Sequence, residues 1–223
     1  MKQIKARKPA VFERDLPDLP AELQCPDAAA DLFADSEVVI AEQRLQDVDR
    51  RDLTVSTFQV EGSVLERVQL AGGRFGSVVL KDARLVGCDL ANVLAHRINL
   101  VRVELIDCRL TGFRATTLDW RDVLVQNGNL GYSQLQRGLF RSCEFDGCNL
   151  QEADLQEADL TGSMVRKCNL ARADLRGAKL QNTDLRGSDV EELLVGMEDL
   201  QGAVVDAEQA VKFARLLGLQ IRY

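Results

Sequence analysis

The groups in this sequence that could carry out chemistry are one histidine, six cysteines and many carboxylates. His96 has no partner arranged for general acid–base or nucleophilic catalysis, and the sequence contains no GxSxG, GxxxxGK(S/T) or HExxH motif. The glycine-rich segment 70–76, LAGGRFG, lacks the lysine of a phosphate-binding loop. No CxxC pair or second histidine completes a metal site. The sequence therefore predicts a non-enzymatic protein without catalytic residues, cofactor or metal.

Two groups of carboxylates towards the C-terminal end are the candidate partner-binding residues. They are Glu152, Asp154, Glu157, Asp159 and Asp174 in the first group, and Glu191, Glu192, Glu198 and Asp199 in the second. A basic stretch, residues 166–186, overlaps the interval between them. Two interpretations are open for these carboxylates: a solvated face, or an acidic patch that binds a partner protein. The positions of these carboxylates in the fold distinguish the two interpretations.

An apolar residue recurs every fifth position from Val55 to Val205 without a slip in register. No charged residue occupies this position, although 28% of the chain is charged. The residue two places earlier is mostly small or apolar, as at Cys148 and Ala153. A spacing of five fits neither a helix, which repeats at about 3.6 residues, nor a strand, which alternates at about 2. The chain must therefore turn every five residues.

Two inward residues in every five fit a chain that runs briefly extended and then turns. Four such sides close a coil of about 20 residues, and stacked coils pair each other's backbone groups. The segments CNLQEADLQEADLTG (148–162) and ARADLRGAKLQNTDLRGSD (171–189) resemble the A(D/N)LXX motif of the pentapeptide-repeat family. The resemblance implies an all-β fold, a right-handed quadrilateral parallel β-helix. A convex rod of this kind offers no cleft for paired carboxylates.

The chain divides into three predicted parts. Residues 1–37 hold all four prolines and form an N-terminal tail and cap, and residues 38–205 form the β-helix, regular from residue 53. Residues 206–223 form a short C-terminal α-helix that begins with a capping box of Asp206 and Gln209. This helix either covers the last coil or joins two copies in a homodimer. The candidate residues for the cap or dimer contact are Val211, Phe213, Leu216 and Leu217.

The inward positions also explain the cysteines. Five of them lie two residues before the repeating apolar residue: Cys88, Cys108, Cys143, Cys148 and Cys168. We expect these to be buried free thiols, because stacked neighbours 20 residues apart have parallel side chains that disfavour a disulfide. His96 falls at an outward position. The outward column Asp82, Arg102 and Asp122 alternates in sign and predicts a solvated wall.

Trp120 breaks the size pattern, because its inward neighbour is Leu118 rather than a small residue. We expect a local bulge in that coil. The alternative is that the indole reaches the surface at a binding spot, since tryptophan is enriched at interfaces.

Charge and composition restrict the partners. The net charge of −7 argues against general nucleic-acid binding, and no apolar run is long enough for a membrane span or signal peptide, so we expect a cytoplasmic protein. The resemblance to gyrase-protecting members of the family implies mimicry of DNA towards gyrase or another DNA-binding enzyme. The alternative is a scaffold that holds another protein through apolar surface residues. Its candidate contacts are Val101, Ile106, Leu124, Leu139 and Met164.

Overall fold

The computed structural model describes residues 12–26, 31–216 and 218–220. Its strands are all parallel, and from residue 37 onwards each residue in the ladder pairs with the residue 20 places further along the chain, as Glu37 does with Thr57. This constant offset means that the chain completes one coil every 20 residues. The predicted parallel β-solenoid with a short C-terminal helix is confirmed.

The secondary-structure elements follow the coils. They are a 3-10 helix Asp31–Phe33, strands β1 Glu37–Ala41, β2 Arg44–Gln46, β3 Thr54–Glu66, β4 Arg74–Val86, β5 Leu94–Ile106, β6 Arg114–Gln126, β7 Leu139–Arg141, β8 Glu144–Asp146 and β9 Met164–Arg166, and helix α1 Ala207–Leu216. Beyond the long strands the same register continues through single bridges, such as Asn129 to Asn149 and Asn149 to Asn169. The coils therefore stack in one register from end to end.

Most corners of the coil are made by one residue with positive φ, two places after the repeating apolar residue. Glycine takes this conformation without strain, and asparagine and aspartate tolerate it better than most residues. At residues 57, 77, 97 and 117 the φ angle is not positive, and these residues lie inside β3 to β6. At this one corner four coils pass in extended form, which is why each of those strands is 13 residues long.

Trp120 lies inside the rod and is fully buried. Its ring packs edge-on against Phe140, with ring centroids 5.4 Å apart, and stacks on Phe145 at 6.1 Å. The ladder runs unbroken from Leu100 through Trp120 to Phe140. The predicted bulge and the predicted surface position are both wrong. Space for the aromatic cluster comes partly from Gly138, where an added Cβ would lie 2.7 Å from the Phe140 ring.

Some of the small inward residues donate hydrogen bonds to buried backbone carbonyls. The thiol of Cys148 donates to the carbonyl of Val125 at 3.1 Å, and the hydroxyl of Thr183 donates to that of Leu160 at 2.7 Å. A carbonyl buried without a donor would be costly, so these positions favour a residue that is small and can donate. The five repeat cysteines are buried and free, as predicted, whereas Cys25 is exposed.

Thiol reactivity should separate these two classes. Burial raises the pKa of the Cys143 thiol to about 12, so the reactive thiolate is scarce at neutral pH. We expect Ellman's reagent to modify Cys25 quickly in the native protein and the other five thiols only after denaturation. Fast native modification of a Cys25→Ser variant would contradict the burial of the repeat cysteines.

Residues 12–24, here called the N-terminal strap, run along one corner of the rod. The C-terminal end of the strap lies beside the first coils, where the Gln24 amide donates to the Glu42 carbonyl at 3.0 Å. Further along, the amide of Asp18 donates to Asp82 at 3.0 Å and that of Asp15 to Asp122 at 3.3 Å. The Asp82 and Asp122 column is therefore a support for the strap, and the prediction of a merely solvated wall is wrong.

One ion pair anchors the strap more deeply. The guanidinium of Arg14 donates to Glu104 at 3.2 Å, and Arg84 donates to the other carboxylate oxygen at 2.7 Å. The side chains of Arg14 and Glu104 are each only 8% exposed. At the N-terminal end of the core it is Phe33 that packs on Phe58, with ring centroids 6.4 Å apart. Residues 12–24 thus lie on the side of the rod and not over its end.

Helix α1 lies against the last coil. Its Gln209 side chain is buried and donates to the carbonyls of Leu185 and Ser188 at 2.6 and 2.7 Å. Gln209 and Asp206 form the capping box through reciprocal bonds of 3.1 and 2.9 Å. Phe213 belongs to the core. No helix among the described residues is long and apolar enough to cross a membrane.

The four candidate cap or dimer residues therefore separate. Phe213 is buried, Val211 is half-buried and Leu216 is 44% exposed, while Leu217 lies outside the described residues. Phe213 belongs to the lid of the core and is unavailable for a contact between copies. Homodimerisation through Leu216 stays a prediction.

Candidate functional site

The first group of carboxylates is largely neutralised by basic residues of the same or an adjacent coil. Glu152 pairs with Arg172 at 2.9 Å, Glu157 with Arg137 at 2.8 Å, Asp159 with Lys179 at 3.2 Å and Asp174 with Arg176 at 2.5 Å. Asp154 accepts hydrogen bonds from the Gln136 and Gln156 side chains at 2.6 and 3.3 Å. These residues turn around the coil and do not share one face. Four of these five carboxylates are therefore offset by a basic residue close to them in space.

Asp184 is another enclosed carboxylate of the rod, with a side chain 11% exposed between Arg166 and Arg186. Arg186 donates to it at 2.7 Å, and Arg166 also donates to it. Burial raises the pKa of the Asp184 carboxyl, but the hydrogen bonds from Arg186 and Arg166 outweigh burial and hold it well below the ordinary 3.8. Asp184 is therefore ionised in the folded protein even in weak acid.

The stability of the rod should depend on this carboxylate. Because the folded-state pKa is depressed, its contribution is fully present above about pH 4 and is lost as the pH falls below that. We expect Asp184→Asn to lower the free energy of unfolding by about 1–3 kcal/mol at neutral pH, a difference that shrinks in acid. Urea denaturation across a pH series measures it. Asp146→Asn, at a more exposed pair with Lys167 at 3.4 Å, should change stability by less than about 1 kcal/mol.

The second group of carboxylates is less uniform than the sequence suggests. Glu191, Glu192 and Glu198 are exposed and form no ion pair with a described residue. Asp199 instead accepts the backbone amides of Gly177 and Gly196 at 3.0 and 2.8 Å, so it serves the turn that ends the last coil. Three of the four predicted residues are thus available to a partner.

The exposed apolar residues are not the ones predicted. Val101, Ile106, Leu124, Leu139 and Met164 are each only partly exposed. The exposed residues of the repeat region include Leu94 at 43%, Tyr132 at 56%, Leu194 at 47% and Met197 at 68%. Leu94, Leu194 and Met197 belong to one side of the rod, and Tyr132 stands at its edge. This side, here called side C, comprises residues 53–57 and every pentapeptide 20 residues further on, up to 193–197.

Side C also contains a groove of about 560 Å³ between residues 36 and 116. Val55, Phe75 and Ala95 line its inner part, and His96 lies at its rim, exposed as predicted. Sequence reasoning found the outward position of His96 but no groove. Grouping residues that are 20 positions apart would have placed Leu94 and Leu194 on one side of the rod, but it would not have predicted that these side chains are exposed.

The repeats match a known family. Residues 129–162 and 153–191 fit the model described as pentapeptide repeats, in eight copies. Residues 129–191 of the chain are pentapeptide repeats. The five-residue register of the chain reaches well beyond these matched residues in both directions, from Val55 to Val205. No curated protein matches the sequence.

Several solved structures resemble this chain at low identity. A trypsin-treated form of QnrB1, a plasmid-mediated fluoroquinolone resistance protein, is 20% identical, with 89% of this chain and 96% of that chain covered and a TM-score of 0.45. HetL, a pentapeptide-repeat protein involved in heterocyst differentiation regulation in the cyanobacterium Nostoc sp., is 18% identical, with 75% and 87% covered and a TM-score of 0.29. Rfr23 from the cyanobacterium Cyanothece is 19% identical, with 78% and 95% covered and a TM-score of 0.21.

Proposed function

We propose that this protein is a non-enzymatic interaction module that binds another protein through side C. The observation that carries the proposal is that three exposed large apolar side chains, Leu94, Leu194 and Met197, lie on this one side, with Tyr132 at its edge. Exposed apolar surface on an otherwise charged protein is typical of protein–protein contacts. The stacked coils hold these residues on a rigid support, so little conformational entropy is lost on binding.

Site-specific photo-cross-linking tests this proposal. A benzophenone amino acid at Leu94 or at Leu194 is expected to capture the same partner protein in cells, whereas the same group at Leu139, on the next side of the rod, captures much less. Equal capture from all three positions, or none from Leu94 and Leu194, would contradict the assignment to side C. A salt series adds a second criterion, because apolar docking weakens little with ionic strength.

A second candidate function is mimicry of DNA towards gyrase or a related DNA-binding enzyme. It is favoured by the exposed carboxylates Glu191, Glu192 and Glu198 near the end of the rod, which form no ion pair with a described residue. The test is DNA supercoiling by purified gyrase with and without a quinolone across a salt series. Salt-sensitive inhibition or drug protection that is lost in E191Q/E192Q/E198Q would support mimicry. The absence of any effect at micromolar protein would remove gyrase as the target.

A further inference from the structure

Side C carries a local positive surface on an acidic protein. Its four pentapeptides between residues 53 and 117 contain Arg74, Arg97 and Arg114 and no carboxylate, whereas the whole chain has a net charge of −7. All three arginines are exposed, and no ion pair joins any of them to a described residue. Many other arginines of the rod are paired, as Arg137 is with Glu157 at 2.8 Å. These three, here called the arginine patch, therefore have free hydrogen-bonding capacity.

Arg74 lines the groove on side C, Arg114 pairs in the ladder with the lining residue Leu94, and Arg97 follows the lining residue His96 in the sequence. The side chains along its walls are Thr54, Arg74, Leu94, Ser56, His96 and Thr116. Gly76 lies between these walls. A larger residue would not fit there, because an added Cβ would lie 2.6 Å from the Ser56 carbonyl oxygen of the preceding coil. The groove thus combines one guanidinium group in its lining with hydroxyl groups and one exposed leucine, and two further arginines lie next to it.

We infer that this groove binds an extended, acidic segment of a partner protein. The inference rests on the proposed interaction function and names the chemistry of the partner. Carboxylates of the segment would accept hydrogen bonds from the arginine patch, since guanidinium groups favour carboxylates in bidentate geometry. An apolar side chain of the segment would rest against Leu94.

The dimensions of the groove fit an extended peptide. Residues 36, 56, 76, 96 and 116 are successive steps along the rod, and four coil spacings of about 4.8 Å span about 19 Å. An extended segment rises about 3.3 Å per residue, so roughly six residues fill this length. Arg74 and Arg114 flank Leu94 in the ladder and lie about 10 Å apart by the same spacing. Alternate carboxylates of one short segment can therefore reach both.

The charge further along side C disfavours a nucleic acid. The ladder that contains Arg74 and Arg114 continues through Gln134 to Asp154 and Asp174. A polyphosphate backbone that continued along the rod would meet these carboxylates, and three arginines provide fewer contacts than the roughly 6–10 phosphates of a DNA-binding protein. A short acidic peptide meets only the arginine patch.

Fluorescence anisotropy with a defined probe tests the inference. The probe is a short fluorescein-labelled peptide in which glutamates alternate with alanines around one leucine, compared with the same peptide carrying glutamine in place of glutamate. The full chain is expected to bind the glutamate peptide more tightly than the glutamine peptide. R74Q/R97Q/R114Q is expected to lower that affinity by at least about ten-fold, and Leu94→Ser by about three-fold.

A matched triple variant controls for net charge. R109Q/R121Q/R215Q removes three exposed arginines elsewhere and should leave the affinity within about two-fold of the unmodified chain. Equal losses in the two triple variants, no preference for glutamate, or tighter patch-dependent binding of a labelled single-stranded DNA would each overturn the inference. A partner cross-linked from Leu94 that binds R74Q/R97Q/R114Q with unchanged affinity would also overturn it, while leaving the protein-interaction function intact.

Discussion

Replacement of Trp120 by alanine is expected to lower the free energy of unfolding by about 3–5 kcal/mol. The indole is fully buried between coils and packs on Phe140 and Phe145, so truncation removes the largest side chain of the aromatic cluster and leaves a cavity. Chemical denaturation followed by circular dichroism measures the loss. Leu94→Ala, at a residue 43% exposed, is the control and should cost less than about 1 kcal/mol.

Two further results would distinguish burial of Trp120 from a role at the surface. Its indole nitrogen is buried without a hydrogen-bond partner among the described residues, which costs about 1–3 kcal/mol, so Trp120→Phe should be much milder than Trp120→Ala. Because Trp120 is the single tryptophan, native fluorescence should be blue-shifted and poorly quenched by acrylamide. Emission typical of a hydrated indole, or a near-neutral Trp120→Ala, would contradict the buried cluster.

Substitution of Glu104 by glutamine is expected to release the N-terminal strap from the rod. Glu104 accepts hydrogen bonds from Arg14 and Arg84, and its loss of charge leaves two guanidinium groups near one amide. Breaking a buried ion pair costs about 3–5 kcal/mol. Arg14 can be hydrated again if the strap detaches from the rod, so we expect the strap to open locally while the rod stays folded. We expect trypsin to cut after Arg14 at least about ten-fold faster than in the unmodified protein.

The matched control for the strap is Glu144→Gln, because Glu144 lies in the same ladder column two coils further on. Its cleavage rate after Arg14 should equal that of the unmodified protein. Faster cleavage throughout the chain in Glu104→Gln would show general destabilisation instead, and an unchanged rate at Arg14 would show that the ion pair does not hold the strap.

The ion pairs show that charge runs along the sequence of a repeat protein do not reveal which charges are neutralised in the fold. In the sequence, Glu152 and Asp159 look like part of an acidic run, and Arg172 and Lys179 look like part of a basic one. The 20-residue offset places Arg172 on Glu152 and Lys179 on Asp159. The pairing follows from adding 20 to each position. Apparent charge runs in a solenoid are therefore better compared coil by coil than along the chain.

The strap illustrates a different kind of limit. Arg14 meets Glu104, and the amide of Asp18 meets the carboxylate of Asp82, across separations of 90 and 64 residues. No period relates these positions. In addition, Asp18 contacts Asp82 through its backbone amide, and every residue except proline has such an amide, so the residue types do not reveal this contact. Sequence reasoning therefore placed the whole segment at the end of the rod.

The sequence by itself determined the winding of this protein, because an uncharged apolar residue at every fifth position assigns each side chain to the inside or the outside of a coil. It also determined that the repeat cysteines are buried, since their position in the pentapeptide is an inward one. Only the tertiary structure decided how Trp120 is accommodated, where the strap runs and which side presents Leu94, Leu194 and the arginine patch. These features depend on packing volume and on contacts without a period, which a local pattern does not encode.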